Sequence, residues 1–238
     1  MNAATQSLFG LVLLLGACAE EPAVMRGQLT IDQGTSEPAV GATVTILTEE
    51  LTEVGAVTAD ELGAFEVEVP RGKRIFVEVG GADLVPAAFL AEIGDADLVE
   101  VPDQLLWAVS METRDTWRQR FNGCPGADGT GGFMVGQALG WLGGTENAPV
   151  WPTTYVEAFG PDGSELSACY LERKGVAYDP YAENVGASGY FGMFEMSGFY
   201  LLDLTFPVSD DGLQIDTYPL YVPEGGIVTR FPSWVSPF

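Results

Sequence analysis

The sequence predicts an all-β protein built of two tandem β-sandwich modules, and three observations carry that prediction. Apolar and charged side chains alternate with a period of two: Phe65, Val67 and Val69 face one way and Glu66 and Glu68 the other. Ile75, Val77 and Val79 repeat the scheme, as strands with one buried face require. The 238 residues include 30 Gly and 15 Pro, a composition rich in turns. Finally, Gly63–Gly72 (GAFEVEVPRG) returns as Gly189–Gly198 (GYFGMFEMSG), with glycines 63/189 and 72/198 and phenylalanines 65/191 coinciding. Upstream, Gly27-Gln28 matches Gly136-Gln137, so the second copy carries about 17 extra residues between its early and middle strands. This reads as a duplicated module; chance similarity of two strand–turn–strand units is the alternative.

Taken in order, residues 1–17 carry no charged side chain, and Leu8–Gly16 is an apolar run too short to span a bilayer. The run ends in Leu15-Gly16-Ala17-Cys18, which resembles the bacterial lipobox. That resemblance implies a lipoprotein signal peptide over 1–17, cleavage before Cys18 and lipidation of its thiol. Several acyl chains would hold the protein to a membrane far more firmly than one. The implied location is the cell envelope, at the outer membrane or the periplasmic face. An ordinary secretory signal or a buried strand is the competing reading. Residues 18–25 then read as a short acidic tether.

Residues 26–108 form the first predicted module. Gly34–Ser36, Asp60–Gly63 and Pro70–Gly72 supply its turns. The segments VGATVTI (40–46), VTADELGAF (57–65) and VPRG (69–72) resemble the carboxypeptidase regulatory-like domain. The resemblance implies an immunoglobulin- or transthyretin-like β-sandwich of seven strands whose motif residues are structural. It implies no peptidase activity. The glycine after the turn takes a backbone conformation that a side chain would hinder, and the phenylalanine two residues on plugs the sandwich.

Residues 109–130 are expected to be a linker with a short helix, because Met111, Arg114, Trp117 and Phe121 recur at helical spacing. Its glycine-rich part, Cys124–Gly132, lacks the Lys-Ser/Thr of a phosphate loop and reads as flexible. Residues 131–238 form the second module, with strands expected at Val135–Leu139, Tyr155–Phe159, Tyr190–Met196, Phe199–Phe206 and Ile227–Phe231. Cys124 and Cys169 are candidates for a disulfide in an oxidising compartment, or else two buried thiols.

Composition narrows function. With 34 acidic and 10 basic residues the formal charge is −24, which argues against nucleic-acid binding and against a polybasic membrane patch. The chain has no histidine, which removes Ser-His-Asp, Cys-His and HExxH chemistry. The charge divides as −2 in the tether, −12 in the first module, 0 in the linker and −10 in the second module. Acidic pairs such as Glu49-Glu50, Asp95/Asp97 and Asp210-Asp211 read as solvated faces, with a calcium site as the alternative. No cofactor, metal set or catalytic residue is predicted.

The second module holds nineteen aromatics against four in the first. Tyr178, Asp179, Tyr181 and Glu183 in the 171–185 loop, with Trp141 and Trp151, are the candidate ligand-binding residues. Sugar rings stack on such faces while carboxylates take their hydroxyls. The competing reading is that these tyrosines fold back over the sandwich edge. The function expected is a non-catalytic envelope lipoprotein acting as a scaffold or protein-interaction module. Carbohydrate binding by the second module is the alternative, and a carboxylate-based glycan hydrolase a distant third. Partners would be the membrane, through Cys18, and a polysaccharide or envelope protein.

Overall fold

Alternating apolar side chains make strands of nearly every described segment. The computed structural model describes residues 21–102, 105–137, 154–172, 177–185, 189–209 and 212–228. Strands β1 (Ala23–Gln28), β3 (Thr43–Thr48), β4 (Glu53–Thr58), β5 (Ala64–Val69), β6 (Arg74–Gly80), β8 (Ala87–Glu92) and β9 (Leu98–Glu100) form the first sandwich. Its two sheets run β5-β1-β9 and β8-β6-β3-β4. Short strands β2 (Thr30–Ile31), β7 (Leu84–Val85) and β10 (Trp107–Ser110) add a side sheet. Its core holds Val44, Ile46, Phe65, Ile75, Val77, Val79, Phe89 and Trp107.

The second sandwich comprises β11 (Gly132–Gln137), β12 (Tyr155–Phe159), β13 (Glu165–Ser167), β15 (Tyr190–Met196), β16 (Gly198–Ser209), β17 (Gly212–Val222) and β18 (Ile227–Val228), with β14 (Cys169–Tyr170) appended. Its sheets run β15-β11-β18 and β17-β16-β12-β13, the strand order of the first sandwich repeated. The register repeats as well. Gly27 lies opposite Phe65 and Gly136 opposite Phe191; Val24 pairs with Leu98 and Phe133 with Ile227; Val79 pairs with Ala87 and Leu204 with Asp216. The motif glycines share a cause, since Gly63 (φ +76°) and Gly189 (φ +72°) both need left-handed backbone. The copies differ at Glu195, a non-glycine residue at φ +56° where the β11–β15 register slips.

The sandwiches are not separate beads. Strand β18 pairs in parallel with β8, Ile227 N–H donating to the Pro86 carbonyl at 2.8 Å. That pairing fuses the three-stranded sheet of the second sandwich to the four-stranded sheet of the first. One eight-stranded sheet results, in the order β14-β15-β11-β18-β8-β6-β3-β4. Its middle is buried on both faces, so Phe133 and Ile227 enter the first core while Met134 and Val228 enter the second. Over the junction, Phe76 packs edge-on against Phe199 (6.3 Å) and at a tilt against Tyr221 (5.8 Å), whose hydroxyl donates to Glu78 Oε2 at 2.9 Å. Burial first, then the Glu78 hydrogen bond and charge, push the Tyr221 phenol up to about 12.

Two expectations about boundaries are corrected here. The tether does not reach residue 25: Ala23 and Met25 are buried in β1, because alternation along Ala23–Gln28 gives that strand an apolar face. Within 109–130 the short helix is present as expected, and it is the glycine-rich stretch after it, read as flexible, that differs. Helix α1 (Met111–Arg120) is capped by Ser110, whose Oγ accepts from Thr113 N–H at 3.1 Å and donates to Asp32 at 2.6 Å. From its last turn, Arg118 donates to the carbonyls of Ala127, Gly129 and Gly131 and lies over the Phe133 ring, so the glycine-rich segment wraps a guanidinium. Phe121 and Cys124 are core residues.

Candidate functional site

Parity along β12, β16 and β17 sorts their side chains onto two faces. Val156, Ala158, Leu202, Leu204 and Leu220 point into the second core. The opposite parity faces away from it, and cross-strand pairing sets Tyr155, Thr205 and Ile215 in one row and Phe159, Leu201 and Pro219 in another, with Leu213 beyond. Four of these are open to solvent: Tyr155 at 44 %, Leu201 at 43 %, Ile215 at 59 % and Leu213 at 71 %. Between the rows lie Glu157, Asp203 and Thr217; the Thr217 hydroxyl donates to Asp203 at 2.6 Å. The face carries exposed apolar side chains on both sides of a polar row. Large apolar side chains gathered in the open on one face of a protein this acidic mark an interaction site. Among the described residues, none of the candidate ligand-binding residues named from the sequence lies on this face, although its signal is present. Tyr200-Leu201-Leu202 is apolar on both parities, and Leu213 and Ile215 alternate with Gln214 and Asp216.

The sequence-predicted ligand residues do not form one platform among the described residues. Tyr178 packs against the first core, donates its N–H to the Arg120 carbonyl at 2.8 Å and bridges to Leu171. Tyr181 is 91 % exposed at the turn, where Asp179 Oδ1 accepts its N–H at 2.9 Å. Glu183 is exposed nearby. A disulfide joins Cys124 to Cys169 and so ties the Arg118 loop to β14. Cys18, Trp141 and Trp151 lie outside the described residues.

The acidic pairs are engaged or solvated. Glu49 forms an ion pair with Arg74 at 3.0 Å, and Arg71 reaches both Asp97 (2.6 Å) and the Asp95 carbonyl (2.9 Å). Glu50, fully exposed, has its carboxyl held below the usual range by the Thr48 hydroxyl. Asp210 and Asp211 lie outside the described residues. Among the described residues no group of three or more Cys, Asp or Glu could hold a metal ion. An open groove of about 610 Å³ runs over the first sandwich between Val57, Phe65 and Val101, rimmed by Asp60, Glu66 and the Arg26–Glu100 ion pair. Arg26 there is already neutralised.

No protein family and no curated protein matches the chain. Solved structures give slight likenesses. The Bacillus anthracis TIE protein is 12 % identical with a TM-score of 0.31, over 88 % of this chain and 33 % of that one. GBS52, the minor pilin of Streptococcus agalactiae, is 12 % identical with a TM-score of 0.28, over 87 % of this chain and 93 % of its own. The BSP domain of a biofilm-associated protein is 11 % identical with a TM-score of 0.24, over 84 % and 29 %. This chain thus spans about a third of the TIE protein it resembles. Likenesses of this size carry no inference about what the chain does; its all-β sandwich architecture rests on its own strands.

Proposed function

We propose that this protein is an exported, lipid-anchored, non-catalytic interaction module that binds an envelope protein through the outer face of its C-terminal four-stranded sheet. The observation that carries the reading is the Tyr155–Leu201–Ile215–Leu213 stripe, apolar and open on an otherwise strongly acidic molecule. The Leu15–Cys18 motif supports the anchor. Since β1 begins at Ala23, at most about 18 Å of extended chain would separate the lipid on Cys18 from the first sandwich. The carboxypeptidase regulatory-like resemblance of residues 26–79 supports a structural first sandwich that presents the second. Carbohydrate binding at the 178–183 loop has Tyr181 as its support, a single projecting ring.

The test places a photo-crosslinking residue at Ile215, and separately at the exposed Leu62 of the first sandwich, in cells that display the protein. Protein adducts at position 215 and not at 62 are expected. Adducts at neither, or equally at both, would refute the reading.

A further inference from the structure

The internal repeat says what kind of surface should cover the stripe. Aligned by strand register, Phe76 corresponds to Leu201, Glu78 to Asp203, Ala88 to Thr217, Leu90 to Pro219 and Leu47 to Phe159. The outer face of the first four-stranded sheet and that of the second are therefore the same surface in two copies. In the first copy it is occupied. Strand β18 adds in parallel to the β8 edge, the rings of Phe199 and Tyr221 cover Phe76, and the Tyr221 hydroxyl satisfies Glu78. In the second copy the counterpart of β8 is β17, the terminal strand of its sheet. Among the described residues, the backbone of Leu213–Thr217 bonds only to β16.

Resting on the reading above, we infer that β17 and the stripe beside it receive an extended strand of a separate protein, added in parallel as β18 adds to β8. The partner strand carries apolar or aromatic side chains on the parity that shares a face with Leu213 and Ile215, and basic or hydroxyl-bearing ones on the other parity, beside Gln214 and Asp216. A second copy of this chain does not fit. Its matching end would be the β5-β1-β9 sheet, where Val24, Arg26, Glu68 and Leu98 stand in place of the buried Phe133, Val135, Phe194 and Ile227. In place of Phe199 and Tyr221 it would offer Arg74 and Glu92. It would also bring a second −24. Repeat arrays close their ends with polar caps; among the described residues, the end face of the N-terminal sandwich carries Arg26, Glu66, Glu68 and Glu100, and that of the C-terminal sandwich carries Leu201, Leu213 and Ile215.

The test uses the full chain without its first 18 residues and a fluorescein-labelled twelve-residue peptide that alternates Phe, Tyr or Val with Lys, Arg or Thr. Fluorescence polarisation measures binding, and hydrogen exchange locates it. Three controls accompany it: the peptide with Lys and Arg replaced by Glu, the peptide N-methylated at alternate residues, and the Ile215→Lys and Leu213→Lys proteins. Both altered positions are exposed, and near-ultraviolet dichroism verifies their folding. Saturable binding that slows exchange of the 213–217 amides, and falls at least tenfold in every control, is expected. No binding at 1 mM peptide, equal binding of the N-methylated peptide, or protection elsewhere would overturn strand addition. Adducts at position 215 in cells would then still stand, so the two claims fail separately.

Discussion

Replacing Phe76 by alanine separates a shared sheet from two sandwiches on a string. Phe76 lies on the outer face of the first four-stranded sheet, so a free first sandwich would leave its ring in water. In the intact chain the ring is buried, by Phe199 and Tyr221 of the second sandwich. Emptying that site should cost about 3–5 kcal/mol, the usual range for a buried Phe→Ala change, including the aromatic contacts it removes. Leu201 holds the corresponding position in the second sandwich and is exposed, so Leu201→Ala should cost less than about 0.5 kcal/mol. Urea unfolding followed by tryptophan fluorescence and far-ultraviolet dichroism measures both variants. A Phe76→Ala cost below about 1 kcal/mol, or equal to that of Leu201→Ala, would refute the clasped junction.

The same structure makes further predictions. Replacing Cys124 and Cys169 together by serine opens a bridge of sequence separation 45 and should lower stability by about 4 kcal/mol in the chain-entropy model; no change on urea unfolding would contradict the bridge. Tyr221 favours its neutral form in the folded protein, with its phenol pushed up to about 12. Its contribution is therefore complete below pH ~10, the unfolded value, and is lost as pH rises from ~10 to ~12. Discounted for solvent screening the effect is about 1 kcal/mol. It should appear as a stability difference between wild type and Tyr221→Phe that shrinks across that window, and a pH-independent difference would contradict it. An alanine at Gly136 would place its Cβ 2.5 Å from the Phe191 ring, and one at Gly27 would meet Val101 at 2.9 Å and Phe65 at 3.0 Å. Both substitutions should cost about 1–3 kcal/mol in thermal or urea unfolding, because buried rings in a sheet interior have no room to yield.

Local patterns were legible and distant pairings were not. Tyr155–Phe159 and Tyr190–Met196 are strands over the ranges that alternation predicts, because each has one face in a core. The glycine–phenylalanine hairpin announces the repeat because left-handed backbone at residues 63 and 189 demands glycine in both copies. What alternation cannot show is which edges meet. Strand β18 is two residues long, and nothing in Ile227–Val228 says that its far side belongs to β8. Residues 124–132 carry the composition of a flexible loop, yet Arg118 collects three of their carbonyls from a helix earlier in the chain. Tyr178 and Tyr181 look equivalent as sequence, but the Arg120 carbonyl draws the first onto the core and the Asp179 turn projects the second. The stripe on β12, β16 and β17 becomes visible once register assigns Leu201 and Ile215 to one face.

The most direct measurement is native-state hydrogen exchange at the Ile227 amide, whose bond to the Pro86 carbonyl crosses from one sandwich to the other. A single eight-stranded sheet predicts that Ile227 exchanges only by global unfolding, with the same free energy as the Val77 amide in the middle of β6. Exchange at Ile227 orders of magnitude faster than at Val77, with Val77 unchanged, would mean that the sandwiches part while each stays folded. That result would contradict the shared sheet.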